Sequence, residues 1–201
     1  DMRTPGIEVR PIINMADQHS FNMVTFDDVR VPKKNLIGEQ NRGWYIGATL
    51  LDFERSGVDY SAGSQRTLEE LVEFAKDTTH GGRALSDNPI VRNRLADLAI
   101  EVEVSRLSSY NIAWMQSQGL VPNKEASMGK ALGTELQQHM ARTGMKMLGL
   151  FGQLAPGAKH APLKGRIERS YLTSVSATIA AGTSEIQRSI VATRGLGLPR
   201  G

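Results

Sequence analysis

At Gly43 the period of the sequence changes, and nothing else constrains the fold as much. Before it, apolar residues alternate with polar ones in Ile7-Glu8-Val9-Arg10 and Val29-Arg30-Val31. Phe21-Asn22-Met23-Val24-Thr25-Phe26 is rich in strand formers. Residues 1–40 therefore read as three short strands, with Pro11 interrupting the first. Such strands build no core alone and need another layer to pack on. From Gly43 onward the spacing is three or four. Trp44, Gly47, Leu51, Glu54 and Val58 form one helical stripe, and Leu68, Leu71, Val72 and Ala75 continue an apolar face until Gly81-Gly82. Asn88-Pro89 offers an N-cap followed by proline at the first helical position. That helix carries Val91, Leu95, Leu98 and Val102 and stops at Gly119. Asn123 is expected to cap a third helix with Leu132, Leu136 and Met140 on one face. A Gly/Pro-rich connection over 149–165 precedes two shorter helices, around Ile167–Val175 and Ser184–Arg194, with Gly195 as C-terminal cap. The expected architecture is mainly α, a four-helix bundle over 41–201 behind a few strands over 1–40.

Charge and composition remove several classes of function. With 24 Lys+Arg against 21 Asp+Glu the formal charge is +3, and no basic run or stripe marks a nucleic-acid surface. The absence of cysteine removes disulfides, thiolate zinc sites and cysteine nucleophiles. His19, His80, His139 and His160 show no metal-ligand spacing, and no nucleophile elbow, Walker loop or dinucleotide glycine fingerprint occurs. No apolar run approaches the ~20 residues of a membrane span, and a cytoplasmic location is expected. Asp1-Met2-Arg3-Thr4-Pro5-Gly6 is neither a signal peptide nor an initiation site, so the chain is expected to begin inside a longer protein.

Glu54 is the unusual charge. On a helix its neighbours are Leu50, Leu51, Gly57 and Val58. A carboxylate in that stripe is either paired, with Arg55 or a more distant cation, or desolvated toward the range of a general base. Arg55 can also be held between Asp52 and Asp59, which suits either a surface ladder or a phosphate-bearing ligand arm. In Ala180-Ala181-Gly182-Thr183-Ser184-Glu185, Gly182 permits a tight turn and Thr183 can cap the helix that follows.

The run Ile179-Ala180-Ala181-Gly182-Thr183-Ser184-Glu185-Ile186-Gln187-Arg188-Ser189-Ile190-Val191-Ala192 closely resembles the C-terminal signature of acyl-CoA dehydrogenases. Phe26-Asp27-Asp28-Val29-Arg30-Val31-Pro32, then Asn35-Leu36-Ile37-Gly38-Glu39 and Gly43-Trp44, resembles the exit from that family's middle β-domain. The resemblance spans the chain and implies about half of a typical member, with residues 1–40 as the remnant of the β-domain. It implies FAD as cofactor, an acyl-CoA substrate, an electron-transfer flavoprotein as electron acceptor, and a homodimer or homotetramer. The family's base is a glutamate. Many members place it directly before Gly-Thr-Ser, where this chain has Ala181. The branch that includes isovaleryl- and long-chain acyl-CoA dehydrogenases places it on the first C-terminal helix before an arginine, and Leu51-Asp52-Phe53-Glu54-Arg55 matches that branch. By resemblance, then, Glu54 is the base and the Ala181 N–H meets the thioester carbonyl. Asp52 and Arg55 line the acyl-CoA channel, and Thr183 and Glu185 touch FAD.

Two features depart from the family pattern. Thr78 and Gly81 stand where members carry an Arg and a Phe that reach the neighbouring subunit's FAD, with Arg83 as the nearest cation. Lys146-Met147-Leu148-Gly149-Leu150-Phe151-Gly152 replaces a richer glycine segment. These departures support an alternative, a subunit of a heteromeric dehydrogenase without a complete FAD site of its own. A non-catalytic helical scaffold is the remaining alternative. Glu54, Arg55 and the intact Gly182-Thr183-Ser184 argue against it.

Overall fold

The computed structural model describes residues 1–53 and 57–199. They fall into two compact units, Asp1–Leu50 and Leu51–Gly201. In the first unit, β1 (Ile7–Ile13) pairs antiparallel with β2 (His19–Phe26), with Val9 opposite Val24. Pro11 does not interrupt β1 but lies inside it, opposite Asn22. Each strand of a two-stranded ribbon has an unpaired edge, so a missing N–H there breaks no ladder. Val29-Arg30-Val31 forms no strand. Asp28 turns the chain with φ 46°, and Pro32 opens a 3-10 turn at Lys33–Asn35. The ribbon's aromatic residues are exposed, Phe26 at 65% and Phe21 at 60%. Helix α1 (Gly43–Phe53) follows.

The second unit is helical. Gly57, left-handed at φ 71°, precedes α2 (Val58–Asp77), so the stripe expected to run from Trp44 to Val58 is broken there. α2 ends at Asp77 rather than at Gly81-Gly82. The chain instead makes a small hairpin in which β3 (Thr79–His80) pairs with β4 (Arg83–Ala84). Gly81 and Gly82, at φ 60° and 78°, supply the two positive φ values that such a tight connection requires. Helix α3 (Pro89–Ser117) starts as its sequence predicts, with the Asn88 side chain accepting from the Ile90 N–H at 2.9 Å. Helix α4 (Asn123–Leu148) starts one residue earlier than expected. The Pro122 carbonyl accepts from Ala126 N–H at 3.0 Å, and Asn123 is the first helical residue rather than the cap. After a connection of short turns come α5 (Arg166–Ala177) and α6 (Ser184–Ile190), the latter passing into a π turn over Val191–Gly195.

One core holds α2 to α5 together. Leu68, Leu71 and Ala75 of α2 meet Leu95, Leu98 and Val102 of α3, Leu136, Met140 and Leu148 of α4, and Ile167 of α5. Leu132, expected on the buried face of α4, is 41% exposed. α4 is central because it is lined with small residues. A Cβ on Gly144 would lie 2.8 Å from Ile167, so the missing side chain lets α5 approach. The result is the mainly α bundle expected. No helix among the described residues is long and apolar enough to cross a membrane.

Candidate functional site

The turn between α5 and α6 is held from several sides. The Ser184 N–H donates to the Thr178 carbonyl at 3.1 Å, and the Thr183 hydroxyl accepts from Ile186 N–H at 3.3 Å, capping α6 as expected. Between these anchors Ala181 is left-handed at φ 55° and Gly182 has φ 92°. For Ala181 this conformation costs about 1–2 kcal/mol, so the surroundings must impose it. Two side chains do so. Gln187 is fully buried, and its Nε2 donates to the carbonyls of Ala181 at 2.9 Å and Gly182 at 3.3 Å. Lys130 of α4 donates from Nζ to the Gly182 carbonyl at 2.7 Å. Gly182 cannot carry a side chain here, because a Cβ would lie 2.6 Å from Gln187 Nε2. Among the described residues, the N–H groups of Ala181 and Gly182 donate to no protein acceptor.

Glu185 is exposed on the first turn of α6. Its carboxylate accepts from its own N–H and from the Thr183 hydroxyl, with Arg188 and Lys130 nearby, and these hold it below the usual glutamate range. A depressed folded-state pKa contributes stability above the unfolded value, about 4.3. That contribution is lost as pH falls through the folded value. Glu185→Gln is therefore expected to flatten the fall of stability with pH below about pH 4.3. Urea unfolding of parent and variant across that range measures the slope.

A polar cleft of about 350 Å³ opens beside this turn, edged by Glu135, Gln138, Arg142, Thr183, Glu185 and Arg188. It shares His139 and Arg142 with a larger groove of about 750 Å³ between α3 and α4. The cleft's basic side chains are already engaged within the chain. Arg188 pairs with Glu135 at 2.8 Å, His139 Nδ1 lies 2.9 Å from Glu101, and Arg142 donates to Gln138 at 3.0 Å.

The start of α2 lies close to the same end of α4. Ser109 of α3 donates to the Gly57 carbonyl at 3.0 Å, and a Cβ on Gly133 would lie 3.2 Å from Tyr60 Cβ. Burial, with Asp59 beside it, pushes the Tyr60 hydroxyl above its ordinary range. Lys130 and Gly133 are one helical turn apart, so one stretch of α4 touches both Gly182 and the beginning of α2. Glu54 and Arg55 lie outside the described residues. Asp52 falls within α1, and Asp59 opens α2 beyond Gly57. Sequence reasoning missed Lys130 altogether and gave Gln187, although it lies in the signature run, no role. The signal for Lys130 was its spacing of four from Ala126 and three from Gly133, which puts it on the buried stripe of α4.

The family model described as "Acyl-CoA dehydrogenase, C-terminal domain" matches residues 41–196. The chain belongs to the acyl-CoA dehydrogenase family. Acyl-CoA dehydrogenase FadE26 of Mycobacterium tuberculosis is 34% identical over 97% of this chain, which covers 50% of that protein. Among solved structures, the ChsE4-ChsE5 complex from Mycobacterium tuberculosis matches with a TM-score of 0.90 and 34% identity, over 100% of this chain and 52% of that one. The "Tcur3481-Tcur3483 steroid ACAD G363A variant" matches with a TM-score of 0.91 and 29% identity, over 100% of this chain and 51% of that one. The chain thus spans about half the length of the curated acyl-CoA dehydrogenases it matches.

The similar structures include an FAD-dependent dehydrogenase, matched with a TM-score of 0.85 and 28% identity. Thr183 and Glu185 edge a cleft whose hydroxyl, amide and guanidinium groups suit the polar arm of a dinucleotide. The hairpin residues fit less well. Thr78 is the C-cap of α2 and Gly81 is the turn of β3–β4, so neither offers a cation or a ring. Leu150 and Phe151, in the altered glycine segment, are 83% and 58% exposed.

Proposed function

We propose that the complete protein catalyses the FAD-dependent α,β-dehydrogenation of an acyl-CoA thioester to the trans-2-enoyl-CoA. The observation that carries this reading is the pairing of an intact Gly182-Thr183-Ser184 turn, with Ala181 where a carboxylate would stand, and Glu54-Arg55 just ahead of α2. Ala181 cannot take a proton, so the base comes from elsewhere. α4 brings the start of α2 and the Ala181–Gly182 turn to neighbouring positions. Glu54 removes the α-proton of the substrate. The Ala181 N–H donates to the thioester oxygen and stabilises the negative charge that develops there, worth a few kcal/mol for such a donor. Arg55 and Asp52 hold the coenzyme A arm, and Thr183 and Glu185 hold the flavin. Bound flavin supplies the acceptor for the β-hydrogen, and an electron-transfer flavoprotein takes the electrons onward in the cytoplasm. The steroid acyl-CoA dehydrogenase among the similar structures makes a bulky polycyclic acyl-CoA the first substrate class to try.

Thr78 and Gly81 favour a second reading of the assembly, a heteromer in which another subunit of the same fold supplies the missing flavin contacts. Two of the similar structures are described as two-component assemblies. The ultraviolet-visible spectrum separates the cases. Flavin bound by the complete protein alone indicates a homodimer or homotetramer. Flavin bound only after co-expression with a second subunit indicates the heteromer. Bleaching by one member of an acyl-CoA panel supports the reaction in either case, and no flavin under any condition contradicts it.

A further inference from the structure

Ala181 holds its left-handed φ of 55° at an exposed position, and its N–H donates to no acceptor among the described residues. Its carbonyl is turned the other way. That oxygen accepts from Nε2 of Gln187 at 2.9 Å, and Gln187 is fully buried. In the left-handed region, as in the right-handed one, the N–H and C=O of a residue point in opposite senses. Anchoring the carbonyl on the buried side therefore turns the Ala181 N–H outward. The Gly182 carbonyl also accepts from Lys130, so among the described residues the anchor that depends on Gln187 is the one on Ala181.

The amide of Gln187 fits in one orientation. Turned over, it would set Oε1 against two carbonyl oxygens, so Nε2 takes that side and Oε1 is left buried with no partner. A buried, unpaired amide oxygen weakens a fold, and so does a left-handed alanine. Both features meet at one turn. Gly182 completes it, because a Cβ there would lie 2.6 Å from Nε2 and push the amide away. Local strain of this kind persists only where the surroundings over-determine it, and it clusters at functional sites.

We propose that Gln187 is a positioning residue for the dehydrogenation. By holding the Ala181 carbonyl it keeps that residue left-handed and aims its N–H at the thioester oxygen. This rests on the reaction assigned above. Gln187 touches no reacting atom. Without its anchor, Ala181 relaxes toward an ordinary backbone conformation, and the N–H swings off the oxygen on which charge forms.

The test uses the complete protein, with its second subunit if flavin binding requires one, carrying Gln187→Met. Methionine keeps the length of the side chain and removes both the donor and the unpaired oxygen. In anaerobic single turnovers, the variant is expected to lower the limiting rate of flavin bleaching about 100-fold, the scale of a misaimed group. The substrate concentration for half-maximal rate stays near the parent's, because the lost aim matters most once charge has developed. Difference infrared spectra with a carbonyl-labelled thioester supply the second readout. The bound C=O stretch, lowered in the parent, moves back toward the free thioester in Gln187→Met. A glutamine that only supports the fold would change flavin content and melting temperature but leave the rate per bound flavin and the carbonyl frequency parental. That result overturns the proposal. If Gln187→Met does not fold, Gln187→Asn keeps an amide in the same space but ends one methylene short of the Ala181 carbonyl. The same loss of rate and the same carbonyl shift are expected there, and a parental rate with an unshifted carbonyl also overturns the proposal. Failure of the assigned reaction reads differently, because Glu54→Gln would then bleach as fast as the parent whatever stands at position 187.

Discussion

Gly165→Ala is expected to destabilise the helical unit by about 3 kcal/mol or more, at the upper end of single substitutions. Gly165 is buried at the start of α5 with φ 73°, the third of three successive left-handed residues after Leu163 and Lys164. A Cβ added there would lie 2.5 Å from Pro156 N and 2.8 Å from the Ala155 carbonyl carbon. These are backbone atoms of a proline-containing turn, so no flexible chain end can swing aside. The left-handed conformation alone costs about 1–2 kcal/mol for a residue with a Cβ. The clash adds to it by pushing the 149–165 connection away from α5, whose Ile167 closes the core. Gly157 provides the control. Its φ is 89° but a Cβ there meets open space, so Gly157→Ala should lose only the conformational part. Urea unfolding of the complete protein followed by helical signal measures both. If Gly165→Ala costs no more than Gly157→Ala, the close approach to Pro156 is not a packing constraint.

The helical half of the fold was legible because its signals are local. Asn88-Pro89 specifies both a cap and a first helical residue, and the structure uses them that way. The stripe Leu95, Leu98 and Val102 is buried as its spacing requires. Where reading failed, the deciding physics was not local. Gly81-Gly82 looked like the end of a helix, and only the pairing of Thr79-His80 with Arg83-Ala84 makes it a hairpin turn. Pro11 looked like an interruption because the sequence does not say that its strand has a free edge. At the site, the cap Thr183 could be read from the residues, since an N-cap needs only its own side chain. The clamp on the Ala181–Gly182 carbonyls could not, because Lys130 is 52 residues from Gly182 in the chain. A lysine in Met128-Gly129-Lys130-Ala131 carries no sign of a distant carbonyl. Its helical phase alone, between Ala126 and Gly133, marked it as inward-facing.

Glu54→Gln is expected to leave the complete protein folded, with flavin and acyl-CoA binding intact, and to cut the rate of flavin bleaching at least 10²–10⁴-fold, the usual contribution of a general base. Glutamine keeps the volume and the hydrogen-bonding end of glutamate but accepts no proton from the α-carbon. The loss can exceed that range, because the β-hydrogen leaves as hydride only as the α-proton departs. Ala181 gives the reaction no second base at the turn. Its carbonyl is engaged by Gln187, and its side chain carries no acidic group. The direct measurement is stopped-flow absorbance on anaerobic mixing of the flavin-loaded protein with an acyl-CoA that bleaches the parent. The account predicts fast bleaching for the parent and a trace that stays yellow over the same time for Glu54→Gln. Equal bleaching by the two would contradict it.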